Sequence, residues 1–189
     1  MKHLKLLLIL SVALLGSCTR CTNDVKIDET NFPDEVFRNW ISEQEYGKDG
    51  VLTAEEIAQI DTIDVSDKNI KSLDGIRFFT ALRELDCYFN ELTALDVSKN
   101  PALKELYCYQ NQIQGEAMDA MVASLPTASN GDLRVIFSDY DGNVMTVEQV
   151  AAAKAKGWTP SYFTGAFDES GESIWEEYTG DDPTESDLP

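Results

Sequence analysis

Apolar positions return on a fixed beat through the middle of this chain. Leu82, Leu85, Cys87, Asn90 and Leu92 are matched 21 residues on by Leu103, Leu106, Cys108, Asn111 and Ile113, in the pattern L-x-x-L-x-C-x-x-N-x-[LI]. A looser copy precedes them at Ile60, Ile63, Val65, Lys68 and Ile70, and the same rhythm recurs between them as Leu92, Leu95, Val97 and Asn100. Units of this period bury their apolar side only against their neighbours, so the pattern predicts a short solenoid of parallel strands.

The flanks change period. From Asn31 the spacing turns helical, with Pro33 suited to a first turn and Phe32, Val36, Phe37, Trp40 and Ile41 on one face. Thr53 and Glu56 make a capping box for a second short helix that points Ile57 and Ile60 inward. After Ile113, Met118, Met121, Val122 and Leu125 have helical spacing up to Pro126, and a strand over Leu133–Phe137 follows the Ser129–Gly131 turn. Thr146 with Gln149 caps a further helix through Val147 and Val150 to Ala155, stopped by Gly157 ahead of a strand from Trp158 to Phe163. The expected fold class is α/β: a short leucine-rich-repeat solenoid with parallel strands, a helical N-terminal cap and a strand-helix C-terminal cap. The boundaries follow as signal peptide at 1–17, flexible leader at 18–28, helical N-terminal cap at 29–59, repeats at 60–114, C-terminal strand-helix repeats or cap at 115–167 and acidic tail at 168–189. In the tail, Ile174, Trp175 and Tyr178 are candidates to dock on the cap, and disorder is expected from Asp181.

The first residues add an address. A basic start (Lys2, Lys5) and an apolar run from Leu6 to Gly16, too short to span a bilayer, read as a signal peptide. Leu15, Gly16, Ser17 and Cys18 resemble the lipobox of bacterial lipoproteins, which implies cleavage before Cys18, lipidation of that cysteine and a place in the cell envelope at the outer membrane or cell surface. Membrane contact is then through the N-terminal lipid only. The formal net charge of −19, more negative once Lys2 and Lys5 are removed, repels nucleic acid and favours a partner that is neutral, cationic or bridged by a divalent metal. Lipidation of Cys18 leaves Cys21, Cys87 and Cys108, an odd number; Cys87 and Cys108 hold equivalent inward positions and read as small hydrophobes stacked in a ladder.

Candidate chemistry is sparse. The single histidine, His3, leaves with the signal peptide, which removes Ser-His, Cys-His and histidine-zinc chemistry and argues against an enzyme; a carboxylate-pair glycosidase remains formally open. Setting Gly50 at the glycine of a calcium loop places Glu45, Gly47, Asp49, Val51, Thr53 and Glu56 at the ligand positions. Gly47 offers no side-chain oxygen there and Glu56 already has a capping role, so no cofactor is expected, and calcium, if taken, binds weakly.

Strand alternation assigns the outward positions: Thr62, Asp64 and Ser66, then Glu84, Asp86 and Tyr88, then Glu105, Tyr107 and Tyr109. Tyrosines flanked by carboxylates suit a basic peptide or sugar rings. Tyrosine is also an ordinary strand residue, and stacking of Tyr88 on Tyr109 stabilises a sheet without any ligand. Asn90, Asn100 and Asn111 read as inward residues bonded to backbone.

The segments NFPDEVFRNWI, KDGVLTAEEI and LRELDCYFNELTALDVSKNPAL together resemble a family of secreted and surface bacterial leucine-rich-repeat proteins, related to internalins in repeat style, over about residues 28 to 163. The resemblance implies binding of proteins or glycans and supplies no catalytic residues. The resulting expectation is an adhesin-like protein-protein interaction module, with glycan binding or a structural envelope role as alternatives.

Overall fold

Each copy of the repeat lays down one three-residue strand and then returns. In the computed structural model, which describes residues 24–137 and 141–180, these strands are β3 (Thr62–Asp64), β4 (Glu84–Asp86) and β5 (Glu105–Tyr107). The segment expected to be a signal peptide (1–17), Cys18, Cys21 and the chain from Asp181 on lie outside the described residues. Three further strands, β6 (Gly131–Ile136), β7 (Trp158–Phe167) and β8 (Ser173–Glu177), complete one sheet in the order β3-β4-β5-β6-β7-β8. All neighbours are parallel except β7 and β8, which form an antiparallel hairpin.

Ile63, Leu85 and Leu106 lie in register across β3, β4 and β5, continued by Leu133 on β6. One residue pair on, Val65, Cys87, Cys108 and Val135 are likewise fully buried, and both cysteines are free thiols. The short returns from β3 and β4 leave the back of the sheet to Ile70, Leu73, Ile76, Leu92, Leu95 and Val97, so the Leu92–Asn100 rhythm marks a return segment and not a further strand. The next two connections are helical: α3 (Gly115–Ser124) joins β5 to β6, and α4 (Val147–Ala155), opened by the Thr146/Gln149 capping box, joins β6 to β7. Met118, Met121, Val122, Val150 and Ala153 join these helices to the same core.

A return segment carries backbone groups into the interior, where each needs a partner. Asparagines supply them. Asn90 donates to the carbonyls of Val65 (2.8 Å) and Cys87 (3.0 Å) and accepts from the Ile70 amide (2.9 Å). Asn111 does the same one coil on, with Cys87, Cys108 and Leu92, and Asn143 repeats it with Cys108, Val135 and Ile113. Asn100 belongs to a different place, donating to the Ile76 and Phe79 carbonyls on the back of the coil.

The N-terminal segment differs from expectation at both ends. Val25–Lys26 is not leader but strand β1, antiparallel to β2 (Val51–Leu52). Helix α1 spans Glu35–Glu43, so Pro33 lies outside it, Asp34 is the N-cap, and Val36 faces solvent while Phe37 and Ile41 are buried. Phe32 precedes the helix and packs on Phe37, Phe78 and Phe79. It also touches Gly75, where φ is +110° and a Cβ would stand 2.3 Å from the Phe32 ring, so only glycine fits. Helix α2 (Ala54–Ile57) has the Thr53/Glu56 capping box and buries Ile57.

Asp34 joins this segment to the repeats with one carboxylate. Oδ1 accepts from the Phe37 amide at 3.0 Å, while Oδ2 accepts from the amides of Lys71 at 2.9 Å and Ser72 at 3.2 Å. Replacing Asp34 by alanine removes a helix cap and two tertiary hydrogen bonds together; urea unfolding should show a loss of about 1–3 kcal/mol, with Asp34→Asn in between.

Candidate interaction face

Because the strands are in register, the outward side chains fall into lateral rows. The first row is Thr62, Glu84, Glu105, Asp132 and Thr159; the second is Asp64, Asp86, Tyr107, Arg134 and Ser161. Parallel neighbours sit about 4.8 Å apart, so this arrangement sets Glu84 beside Glu105, Glu105 beside Asp132, and Asp64 beside Asp86. Like charges directly opposite one another are unfavourable. Arg134 relieves one end: its Nε lies 3.2 Å from Asp132 Oδ2, and its guanidinium lies over the rings of Tyr107 (4.2 Å) and Trp175 (5.1 Å). The Tyr107 hydroxyl donates to Glu105 Oε2 at 2.8 Å.

The third row is aromatic. Tyr88 stacks on Tyr109 with centroids 4.6 Å apart and planes 6° off parallel, Tyr109 on Phe137 at 5.3 Å, and Phe137 on Phe163 at 4.7 Å. Trp175, brought in by β8, leans on Tyr109, Phe137 and Phe163. Phe137 reaches this row through a β-bulge: the register with β7 shifts between Arg134 and Ile136, so Val135 and Ile136 are both buried and Phe137 takes the outward place. Asp141 fixes its backbone, accepting from the amides of Phe137 and Gln110 at 2.8 Å and Asn143 at 3.0 Å. Burial outweighs these bonds and raises the Asp141 pKa.

Of the sequence-derived face residues, Tyr88 and Tyr109 join the stack, Tyr107 sits in the charged row under Arg134, and Glu84, Asp86 and Glu105 form the acidic flank. Strand alternation did not reach Phe137, Phe163, Trp175 or Phe89. The tail boundary at 168 falls in the β7–β8 turn, because β8 pairs with β7 and Tyr178 is buried against it. Phe89 has φ of +51° and is 43% exposed. Asp67 and Gln110, its counterparts on the adjacent coils, share this left-handed geometry, so the coil imposes it; a short aspartate accommodates it, a bulky phenylalanine does so at a cost. Its ring is edge-on to Tyr88, Tyr109 and Phe137.

The calcium-loop candidates are otherwise engaged. Glu45 pairs with Lys48, Asp49 accepts from the Val51 amide, and Glu56 Oε2 accepts from the Thr53 amide and hydroxyl. Gly47 is buried where a Cβ would collide with the Ile41 carbonyl, so packing requires glycine at that position. Among the described residues no three His, Cys, Asp or Glu side chains gather as a metal site, and none of the helices is long and apolar enough to cross a membrane.

Asp86 shows the electrostatic stress most clearly. Its Oδ1 is buried with no hydrogen-bond partner. Burial, then Glu84 and Asp64, push its pKa up to about 7, against the attraction of Arg134.

No protein-family model matches the chain, and no curated protein matches it. Among solved structures, the internalin InlF of Listeria monocytogenes aligns with a TM-score of 0.52 at 22% identity, over 72% of this chain and 38% of its own. Internalin C2 of the same organism aligns at 0.51 and 16%, over 74% and 68%. The functional domain of its InlJ, described as including a cysteine ladder, aligns at 0.49 and 23%, over 76% and 28%. The chain thus spans well under half the length of two of these structures. The likeness establishes an internalin-like leucine-rich-repeat fold.

A carboxyl whose pKa is raised on folding binds more protons in the folded than in the unfolded state between the two values. Stability therefore falls as pH rises from about 4 through about 7. Solvent screening on this half-exposed face limits the contribution to about 1–2 kcal/mol. Relative to the parent, Asp86→Asn should gain stability steadily from about pH 4 to about pH 7, by that total amount, in urea melts; a parallel pH dependence of the two proteins would contradict the assignment.

Proposed function

We propose that this protein is a lipid-anchored, exported binding module that holds a protein partner on the outward face of its strands. The fold supports this because a repeat array displays side chains at fixed spacing over a broad surface. The observation that carries it is Phe89, an exposed bulky ring held in left-handed backbone at the edge of the aromatic row. Strain of this kind persists where the surrounding structure imposes it and concentrates at functional positions. The fold itself asks for no phenylalanine there, as Asp67 and Gln110 demonstrate.

A protein partner fits this face better than a glycan. Sugar rings pack on open aromatic faces, and in this row the faces of Tyr109 and Phe137 are covered by the neighbouring rings. What remains exposed is ring edges, Phe89, a single face of Tyr88 beside the carboxylates of Asp64 and Asp86, and polar flanks, the mixture typical of protein interfaces. The address follows the Cys18 reading: acyl chains at the N-terminus would hold the molecule on the envelope, with its outermost leaflet the favoured surface. Binding without catalysis agrees with the lack of a histidine beyond His3.

A photoreactive phenylalanine analogue at position 89 should crosslink a discrete protein in intact cells, whereas the same analogue at Val36, an exposed residue of α1, should not. Equal labelling at both positions, or none at 89, would contradict a binding role for this face.

A further inference from the structure

The aromatic row has one unfinished end. Tyr109 covers one face of the Tyr88 ring. Phe89 lies 5.9 Å from Tyr88 and 6.0 Å from Tyr109 and meets both at steep angles, so it crosses the edges of the pair, and among the described residues no ring stacks on the far face of Tyr88. On that side the in-line residue is Ser66, since the Asp64–Asp86 register continues through the Asp67 amide to the Tyr88 carbonyl. The Ser66 hydroxyl is turned to Asp64 Oδ1 at 2.6 Å. Beside this opening stand Asp64 and Asp86 in register, with Asp86 Oδ1 unpartnered.

The sheet already contains a filled version of this arrangement. Two strands along, Arg134 lies over the Tyr107 ring and is tied to Asp132. At Tyr88 the ring and the acids are present, and among the described residues no cation lies over the ring.

We propose that the strand face receives an arginine side chain of a basic partner segment against the open face of Tyr88, held by Asp64 and Asp86. This rests on the protein-binding reading above and gives the partner its chemistry. A guanidinium suits the position because its plane stacks on a ring while its edge donates to carboxylates; an ammonium does only part of this. Charge complementarity favours the same choice: Asp64 and Asp86 stand beside the opening, and among the outward positions of β3 to β5 none is basic.

The test uses the full-length chain and a synthetic peptide of five Gly-Arg repeats, with five Gly-Lys repeats as comparison, followed by calorimetry. Asp86→Asn and Tyr88→Leu should each weaken the arginine peptide by about 5-fold or more, while Glu35→Gln, the same charge change on α1, alters it by less than about 2-fold. Thermal melts establish that both variants fold, and Tyr88→Phe, which keeps the ring, should bind like the parent. Equal weakening by Asp86→Asn and Glu35→Gln reduces the effect to net charge and overturns the site, as does absence of binding by the parent or preference for the lysine peptide. If the peptide ignores these substitutions while position 89 still crosslinks a partner, the cation site is wrong and the face stands; if neither signal appears, both fall.

Discussion

The asparagine ladder is the interaction on which the rest of this molecule depends. Asn90, Asn111 and Asn143 each join the carbonyl of the preceding coil to that of their own, so Val65, Cys87, Cys108 and Val135 form one continuous inward column. An unsatisfied buried amide or carbonyl costs about 1–3 kcal/mol, and without these side chains every coil would carry several. Satisfying them fixes the coils side by side at the spacing of a parallel sheet. The outward chemistry then follows from geometry: a lateral step of about 4.8 Å is close to the distance at which aromatic rings stack.

The same step that favours rings penalises charges. Tyr88, Tyr109, Phe137 and Phe163 become a ladder, while Asp64 and Asp86, or Glu84 and Glu105, are forced together at equal spacing. One half of the face is thus packed and the other electrostatically stressed. Arg134 pairs with Asp132 on β6 and attracts Asp86 only from two strands away, so the stress is greatest toward β3.

Much of the fold was legible because the repeats are local. Leucines 82, 85, 103 and 106 and the two cysteines announce their burial by period alone, and the Thr53 and Thr146 capping boxes announce their helices. What was not legible depends on events that periodicity does not record. Asn143 belongs to the asparagine column, but helix α3 lengthens its coil and breaks the 21-residue spacing. Phe137 would alternate inward if the bulge at Val135–Ile136 did not turn it out. Trp175, in an acidic stretch that reads as tail, was legible as a residue that docks on the cap, but its place over the face comes only from its pairing with Phe163 across the hairpin. Half of the aromatic row was therefore visible from the repeat, and the half supplied by irregular structure was not.

Native-state hydrogen exchange on Asn111→Ala tests the central claim, that the ladder orders the face, most directly. Asn111 bonds to Cys87 and Leu92 in one coil and to Cys108 in the next. The account predicts that amide protection falls together in β4, β5 and the adjoining β6, taking the Tyr88–Tyr109–Phe137 row with it, while α1 and β2 keep theirs. Loss confined to the loop around residue 111, with the strands as protected as in the parent, would contradict it.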